Sequence, residues 1–355
     1  MCHDCGHFSE RGTSVLMIKL DALGDVLRTT SVLPALHRAH DPCSVTWVTS
    51  SAAMDLFTGN DMVHEVLDAG DGAVPMLTAR EFDVVINPDA SPMSCAIASI
   101  VRGRKKYGFV LSPEGYVESL NRAAEDWLLM GSFDNLKKVN RKTYQQILHD
   151  ICELDSAGQH IVLELTEAER INEASMKRLL DPGPRVPIVG VNTGAGSRWE
   201  HKKWRVDGFI RLVDMLLEET DAGVMLLGGT AERERNARIK SHFGSRVADV
   251  CQENLRNFIR EVDLCDVVVT GDTLALHVAL GLEKRVVALF GPTSPYEVDV
   301  YGQGQKVVPA LDCVCCYKPV CDNRPSCMDV MDARDVFRAV TEELTHLRKE
   351  VMIEA

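Results

Sequence analysis

Residues 263–295 read DLCDVVVTGDTLALHVALGLEKRVVALFGPTSP, and their pattern decides the fold class. The apolar run 267–269 is a strand, Thr270-Gly271-Asp272-Thr273 is a tight polar turn, and the stretch through Leu282 is a short apolar helix. A second apolar strand, 286–290, runs into Gly291-Pro292-Thr293. Strand, helix and strand in this order form a βαβ unit of a parallel sheet. Asp272 and Thr273 then fall on the first helical turn, where backbone N–H groups lack intrahelical partners and the dipole favours an anion. A phosphate-bearing ligand at the carboxyl end of a parallel strand would be held in this way. Helix capping alone would also account for an Asp or Thr here. His277 returns to the same helical face near the same mouth and favours the ligand-binding reading.

The same alternation extends in both directions. Towards the N-terminus, strands are expected at 15–20, 45–49, 82–87 and 107–110, and helices at 25–40, 93–101, 143–154 and 167–180. After Asp181-Pro-Gly-Pro-Arg-Val-Pro187 the pattern restarts, because three prolines and a glycine cannot continue a helix. Strands follow at 188–192 and 223–227, with helices at 206–220, 231–243 and 255–262. The expected organisation is an N-terminal arm at 1–13, an α/β domain at 14–180 and a linker at 181–187. A second α/β domain spans 188–332, and a C-terminal amphipathic helix at 333–355 is able to pack back on the first domain. Two α/β halves facing each other across a cleft fit this order better than one very large sheet, and 355 residues suit two domains.

Composition narrows the function. Apolar content of 45% and charged content of 26% are those of a soluble globular protein. No apolar run approaches the ~20 residues that span a bilayer, and the N-terminus lacks a signal-peptide core. A cytoplasmic protein is expected, at most peripheral to the inner membrane. A net charge of −13 argues against a nucleic-acid partner, although Arg102-Gly-Arg104-Lys105-Lys106 and Lys137-Lys138 with Arg141-Lys142 are local basic patches.

Four loops following strands carry the candidate chemistry. Asp25 stands on the glycine turn Asp21-Ala-Leu-Gly24-Asp25, where a carboxylate can serve as a general base or merely cap a helix. In Asn192-Thr-Gly-Ala-Gly-Ser197-Arg-Trp-Glu-His-Lys202-Lys203-Trp204 a glycine-rich turn can bring N–H groups to phosphates while Lys202 adds a point charge. It has neither the last glycine of G-x-G-x-x-G nor the G-K-[ST] of a P-loop. Leu226-Leu-Gly228-Gly229-Thr230-Ala231-Glu232 repeats the theme, with Glu232 able to accept hydrogen bonds from a ribose or to favour the helix start. The fourth loop is 270–273.

Taken together, IKLDALGDVLRTTSVLPAL, VNTGAGSRWEHKKW, LLGGTAERE, GDTLALHVALGLEKRVVALFGPTSP and a late cysteine pattern resemble glycosyltransferase family 9, the ADP-heptose:lipopolysaccharide heptosyltransferases and their relatives. The resemblance implies a GT-B architecture of two Rossmann-like domains, with the acceptor on the first and the nucleotide held mainly by the second. It implies metal-independent transfer with inversion, with ADP-heptose as donor and a lipopolysaccharide-core or other cell-envelope glycan or glycolipid as acceptor. By position, Asp25 would be the base and Lys202 would neutralise the leaving diphosphate, helped by Ser197. Glu232 would contact the ribose or sugar, and Asp272, Thr273 and His277 would bind donor sugar and diphosphate. Leu274 departs from the family pattern, which has glycine there, so the donor pocket is expected to differ locally.

Twelve cysteines include five scattered among apolar neighbours and seven clustered at Cys2, Cys5, Cys313, Cys315, Cys316, Cys321 and Cys327. The spacing of Cys313, Cys316, Cys321 and Cys327 can close a structural Zn²⁺ site or hold an iron–sulfur cluster, with reduced free thiols as the alternative in a reducing compartment. The competing functional readings are a nucleotide-binding, redox- or metal-sensing protein with a decayed transferase site, and a nicotinamide-dependent dehydrogenase. The incomplete glycine fingerprint opposes the second.

Overall fold

A computed structural model describes residues 12–70, 72–156, 160–170, 186–196, 200–251, 253–318 and 320–354. Cys2, Cys5, Ser197 and most of the expected linker lie outside the described residues. The chain divides into two compact units. The first comprises residues 1–133 and 142–162; the second comprises 134–141 and 163–355.

Unit 1 contains β1 (Thr13–Ile18), β2 (Cys43–Thr49), β3 (Glu65–Asp68), β4 (Glu81–Asn87), β5 (Arg102–Leu111) and β6 (Val117–Ser119). Their order is β3-β2-β1-β4-β5-β6. All pairs are parallel except β5 with β6, which are antiparallel. Unit 2 contains β7 (Ile188–Asn192), β8 (Gly223–Leu227), β9 (Val247–Asp249), β10 (Val267–Gly271), β11 (Arg285–Leu289) and β12 (Gly304–Val307). Here the order is β12-β11-β10-β7-β8-β9, parallel throughout. Counted from the first strand of each unit, both sheets have the Rossmann order 3-2-1-4-5-6. In such sheets the direction of winding reverses beside the first strand, and ligands bind at the carboxyl ends there. The reversals fall between β1 and β4 and between β7 and β10.

The central strands are continuous apolar runs because both their faces are covered. Val15, Leu16, Met17 and Ile18 are buried in unit 1, as are Val267, Val268 and Val269 in unit 2. The strands at 65–68, 117–119, 247–249 and 304–307 were not expected from the sequence. They are three or four residues long, and most of their residues are only partly buried, so no apolar run marks them.

The final helix, Ala333–Glu354, packs within unit 2. Val336, Phe337, Val340 and Leu344 enter the same core as Leu212, Leu216, Val287 and Leu289. Its apolar stripe is thus buried on the sheet of unit 2. Arg285 fixes the helix with a 2.7 Å hydrogen bond from Nε to Glu343. Among the described residues no helix is long and apolar enough to cross a membrane.

Candidate functional site

The unit 2 site is assembled from three loops at the carboxyl ends of β7, β8 and β10. Asn192 closes β7, and its side-chain amide donates to Thr270 Oγ1 at 3.0 Å and Thr273 Oγ1 at 3.3 Å. Those two hydroxyls are 3.0 Å apart. This polar knot sits where the winding reverses, and it fixes the turn leading into the Leu274–Gly281 helix. Thr273 is the N-terminal flanking residue of that helix, but its side chain makes no capping bond, being held by the knot instead. The helix therefore begins with backbone N–H donors that the Thr273 side chain does not cap.

Lys202 reaches the same helix start. Its ammonium donates to Asp272 Oδ2 at 2.8 Å and to Asp272 O at 3.3 Å. Two residues on, Trp204 is buried and anchors the loop. Its Nε1 donates to Met331 O at 3.2 Å, its ring meets Phe209 edge-on, and the Arg235 guanidinium donates to its carbonyl. A cation on a loop pinned by a buried indole, beside a helix N-terminus, is an arrangement that accepts a phosphate-type anion.

Glu232 ends a 3-10 turn, Thr230–Glu232, and is buried. Its Oε2 accepts from Gly229 N at 3.0 Å. The carboxylate lies so near Gly194 that a Cβ there would stand 2.2 Å from Oε1; glycine at 194 lets the two loops approach. Behind it, Thr193 Oγ1 donates to Asn236 Oδ1. His277 is buried on the Leu274–Gly281 helix, and Leu274 is that helix's partly buried first residue. The structure thus joins Lys202 directly to Asp272, joins Thr273 to Asn192, and sets Glu232 against Gly194.

In unit 1, Asp25 occupies the first turn of the Leu23–Thr29 helix. Its Oδ1 accepts from Arg28 Nη2 at 2.6 Å. The Arg28 guanidinium lies 3.5 Å from the centre of the Tyr144 ring. Thr29 Oγ1 donates to Asp25 O at 2.6 Å and lies 3.1 Å from the Tyr144 hydroxyl. Lys19, at the end of β1, is buried and donates to Asp21 Oδ2 at 2.8 Å. Burial opposes its charge, but Tyr144, Asp21, Asp89 and Asp25 prevail and hold its pKa above the ordinary lysine value. Asp89 accepts from Leu20 N, so the loops after β1 and β4 are tied together. Sequence reasoning did not identify Arg28, Tyr144, Lys19 or Asn192. Arg28 was accessible as a residue three positions from Asp25 on one helix; Tyr144, far along the chain, was not.

For Cys313, Cys316, Cys321 and Cys327 the sequence leaves a metal site and free thiols both open, and the structure shows them as free cysteines. Among the described residues, no group of three or more His, Cys, Asp or Glu is placed to hold a metal ion. The segment is organised by its backbone. Cys315 N donates to Gly291 O and Tyr317 N to Pro292 O, each at 2.8 Å, so it is laid against the loop after β11. Cys327 turns inward, where a Cβ on Gly291 would stand 2.7 Å from its Sγ. Burial, with Cys316, Cys321 and Cys313 nearby, pushes its thiol up to about 11.

The profile described as "Glycosyltransferase family 9 (heptosyltransferase)" matches residues 75–325, more than half of the chain. The lipopolysaccharide heptosyltransferase 1 of Pseudomonas aeruginosa is 22% identical over 329 residues, covering 88% of each chain. Among solved structures, the glycosyl transferase family 9 protein from Veillonella parvula superposes with a TM-score of 0.74 at 16% identity, over 94% of this chain and 97% of that one. An E. coli heptosyltransferase with ADP-2-deoxy-2-fluoro heptose gives a TM-score of 0.62 at 17% identity, covering 93% of this chain and 99% of that one.

Proposed function

The chain belongs to glycosyltransferase family 9 and is an enzyme of glycosyl transfer with the α/β GT-B fold, and from that premise we propose that it moves heptose from ADP-heptose onto a lipopolysaccharide-core or related cell-envelope glycan. The observation that carries this reading is the placement of Lys202 at the start of the Leu274–Gly281 helix, 2.8 Å from Asp272. A departing nucleoside diphosphate gains negative charge as the bond to the anomeric carbon breaks, and an ammonium with helix N–H donors stabilises that charge. Ser197 adds a hydroxyl on the same loop in this proposal. Glu232 accepts from the ribose, and Asp272, Thr273 and His277 position the donor sugar and diphosphate.

In the reaction proposed, an acceptor hydroxyl attacks the anomeric carbon from the side opposite the diphosphate. The new glycosidic bond forms, the bond to the diphosphate breaks, and configuration inverts. The hydroxyl proton passes to Asp25 acting as general base. Lys202 and the helix start supply the charge that a metal ion provides in other transferases, so the transfer requires no metal. The acceptor is a glycolipid and the enzyme works in the cytoplasm, peripherally at the inner membrane. The solved E. coli relative with its ADP-linked fluoro-heptose supports the donor assignment.

Thermal-shift measurements with ADP-heptose, UDP-glucose and GDP-mannose test the reading. ADP-heptose is expected to raise Tm most. An equal or larger rise with UDP-glucose or GDP-mannose would overturn the donor assignment.

A further inference from the structure

We propose that Arg28 is a positioning residue for the proton transfer, fixing the Asp25 carboxylate through an ion pair whose geometry is set by stacking on Tyr144. This rests on the reading of Asp25 as the base. An i,i+3 pair on a helix surface is ordinarily loose and contributes little. Here the arginine has no such freedom. Its side chain is 13% exposed, and its guanidinium carbon lies over the Tyr144 ring, 3.5 Å from the centre. Stacking removes rotamer choice from a flexible side chain and leaves the planar fork pointing one way. That direction brings Nη2 to 2.6 Å from Asp25 Oδ1, while the aspartate side chain stays 32% exposed and reachable.

Tyr144 is itself immobilised. It begins the Tyr144–Cys152 helix, whose start is closed by a reciprocal pair between Thr143 and Gln146. Its ring meets Trp127 edge-on at 5.7 Å, and its hydroxyl lies 3.1 Å from Thr29 Oγ1. Thr29 in turn donates to the carbonyl of Asp25. The base is thus held twice, at its carboxylate through Arg28 and at its backbone through Thr29, and both supports converge on Tyr144. Among the described residues, Lys19, Asp21 and Asp89 also lie at this corner, and they remain in place when Arg28 is replaced.

Two consequences separate positioning from mere structural support. A cation beside a carboxylate favours its ionised form, so removing the cation moves the acid limb of kcat/KM to higher pH. Loss of orientation lowers kcat without weakening donor binding. The test measures ADP release from ADP-heptose with heptose-deficient lipopolysaccharide as acceptor, for R28M, R28K, Y144L and D25N, with Tm of each. R28M is expected to lower kcat by about 10- to 100-fold, to shift the acid limb upward and to leave the Kd for ADP unchanged. R28K should restore the acid limb but not the full kcat, because an ammonium keeps the charge and loses the stacked plane. Y144L should lower kcat while the acid limb stays near wild type. R28M with wild-type kcat and an unmoved acid limb would overturn the proposal, and so would an R28K acid limb as shifted as that of R28M. If R28M does not fold, R28K and Y144L still decide between these outcomes. An active D25N enzyme would instead refute the base assignment. In the D25N background R28M should cause no further loss, and an additional loss there would show that Arg28 acts elsewhere.

Discussion

Lys202 Nζ lies 2.8 Å from Asp272 Oδ2, a pair 70 residues apart in sequence that joins the loop after β7 to the loop after β10. Both side chains are mostly buried, at 15% and 19% exposed. A lysine in this position is shared between a fixed carboxylate and any anion arriving at the helix start. Replacing it should therefore affect ligand binding more than folding. K202A is expected to raise the Kd for ADP by about 10- to 100-fold, the scale of a charge-assisted hydrogen bond of about 1.5–3 kcal/mol. Calorimetry checks this, and an unchanged Kd would remove Lys202 from the diphosphate site.

The Gly194–Glu232 contact yields a prediction about a residue with no side chain. A Cβ at 194 would stand 2.2 Å from Glu232 Oε1 and 2.4 Å from Cδ, so G194A must displace either the loop or the carboxylate. Expected outcomes are a several-fold rise in the Kd for ADP and a lower Tm, because overpacking typically costs about 1–3 kcal/mol. G194A with wild-type ADP affinity would place Glu232 outside the nucleotide site.

A pH dependence follows from Glu169, which accepts from Arg256 Nε at 2.9 Å within unit 2. The Arg256 hydrogen bond, assisted by Thr166 and opposed by burial, lowers the carboxyl from 4.5 to about 2. A lowered pKa means that the contribution is complete above the unfolded value and disappears as pH falls through the folded one. Between pH 5 and pH 2 the stability advantage of wild type over E169Q should shrink. At neutral pH the advantage is at most about 3 kcal/mol, reduced by solvent screening. Urea unfolding at several pH values measures it, and a pH-independent difference would contradict the assignment.

Much of this architecture is legible in the sequence, for identifiable reasons. Val267–Gly271 and Arg285–Leu289 are strands buried on both faces, so their apolar runs announced them. The tract from Asp181 to Pro187, read as the boundary because helices cannot absorb it, lies mostly outside the described residues, and the two units divide earlier, after Val162. Asp272 and Thr273, expected on the first helical turn, directly precede a helix that begins at Leu274. What stayed hidden depends on distant partners. Nothing local to Asn192 indicates that its amide will bridge Thr270 and Thr273, and nothing near Arg28 indicates Tyr144. Residues 134–141 likewise group with unit 2, where Lys137 lies over the Tyr317 ring and Arg141 over the Tyr296 ring. Cation–aromatic pairs of this kind carry no periodicity. For the cysteines, ligand-like spacing is compatible with a metal site and with free thiols alike. Two backbone hydrogen bonds to Gly291 and Pro292 determine how that segment lies.

In the proposed reaction labour is divided, with Asp25 taking the acceptor proton and the Lys202 region holding the nucleotide. The most direct measurement compares D25N with wild type in two assays on one preparation: calorimetry with ADP, and heptose transfer from ADP-heptose. The account predicts unchanged ADP affinity together with a fall in kcat of about 100- to 10,000-fold, the range a general base contributes. Transfer at the wild-type rate, or loss of ADP affinity in parallel with activity, would contradict it.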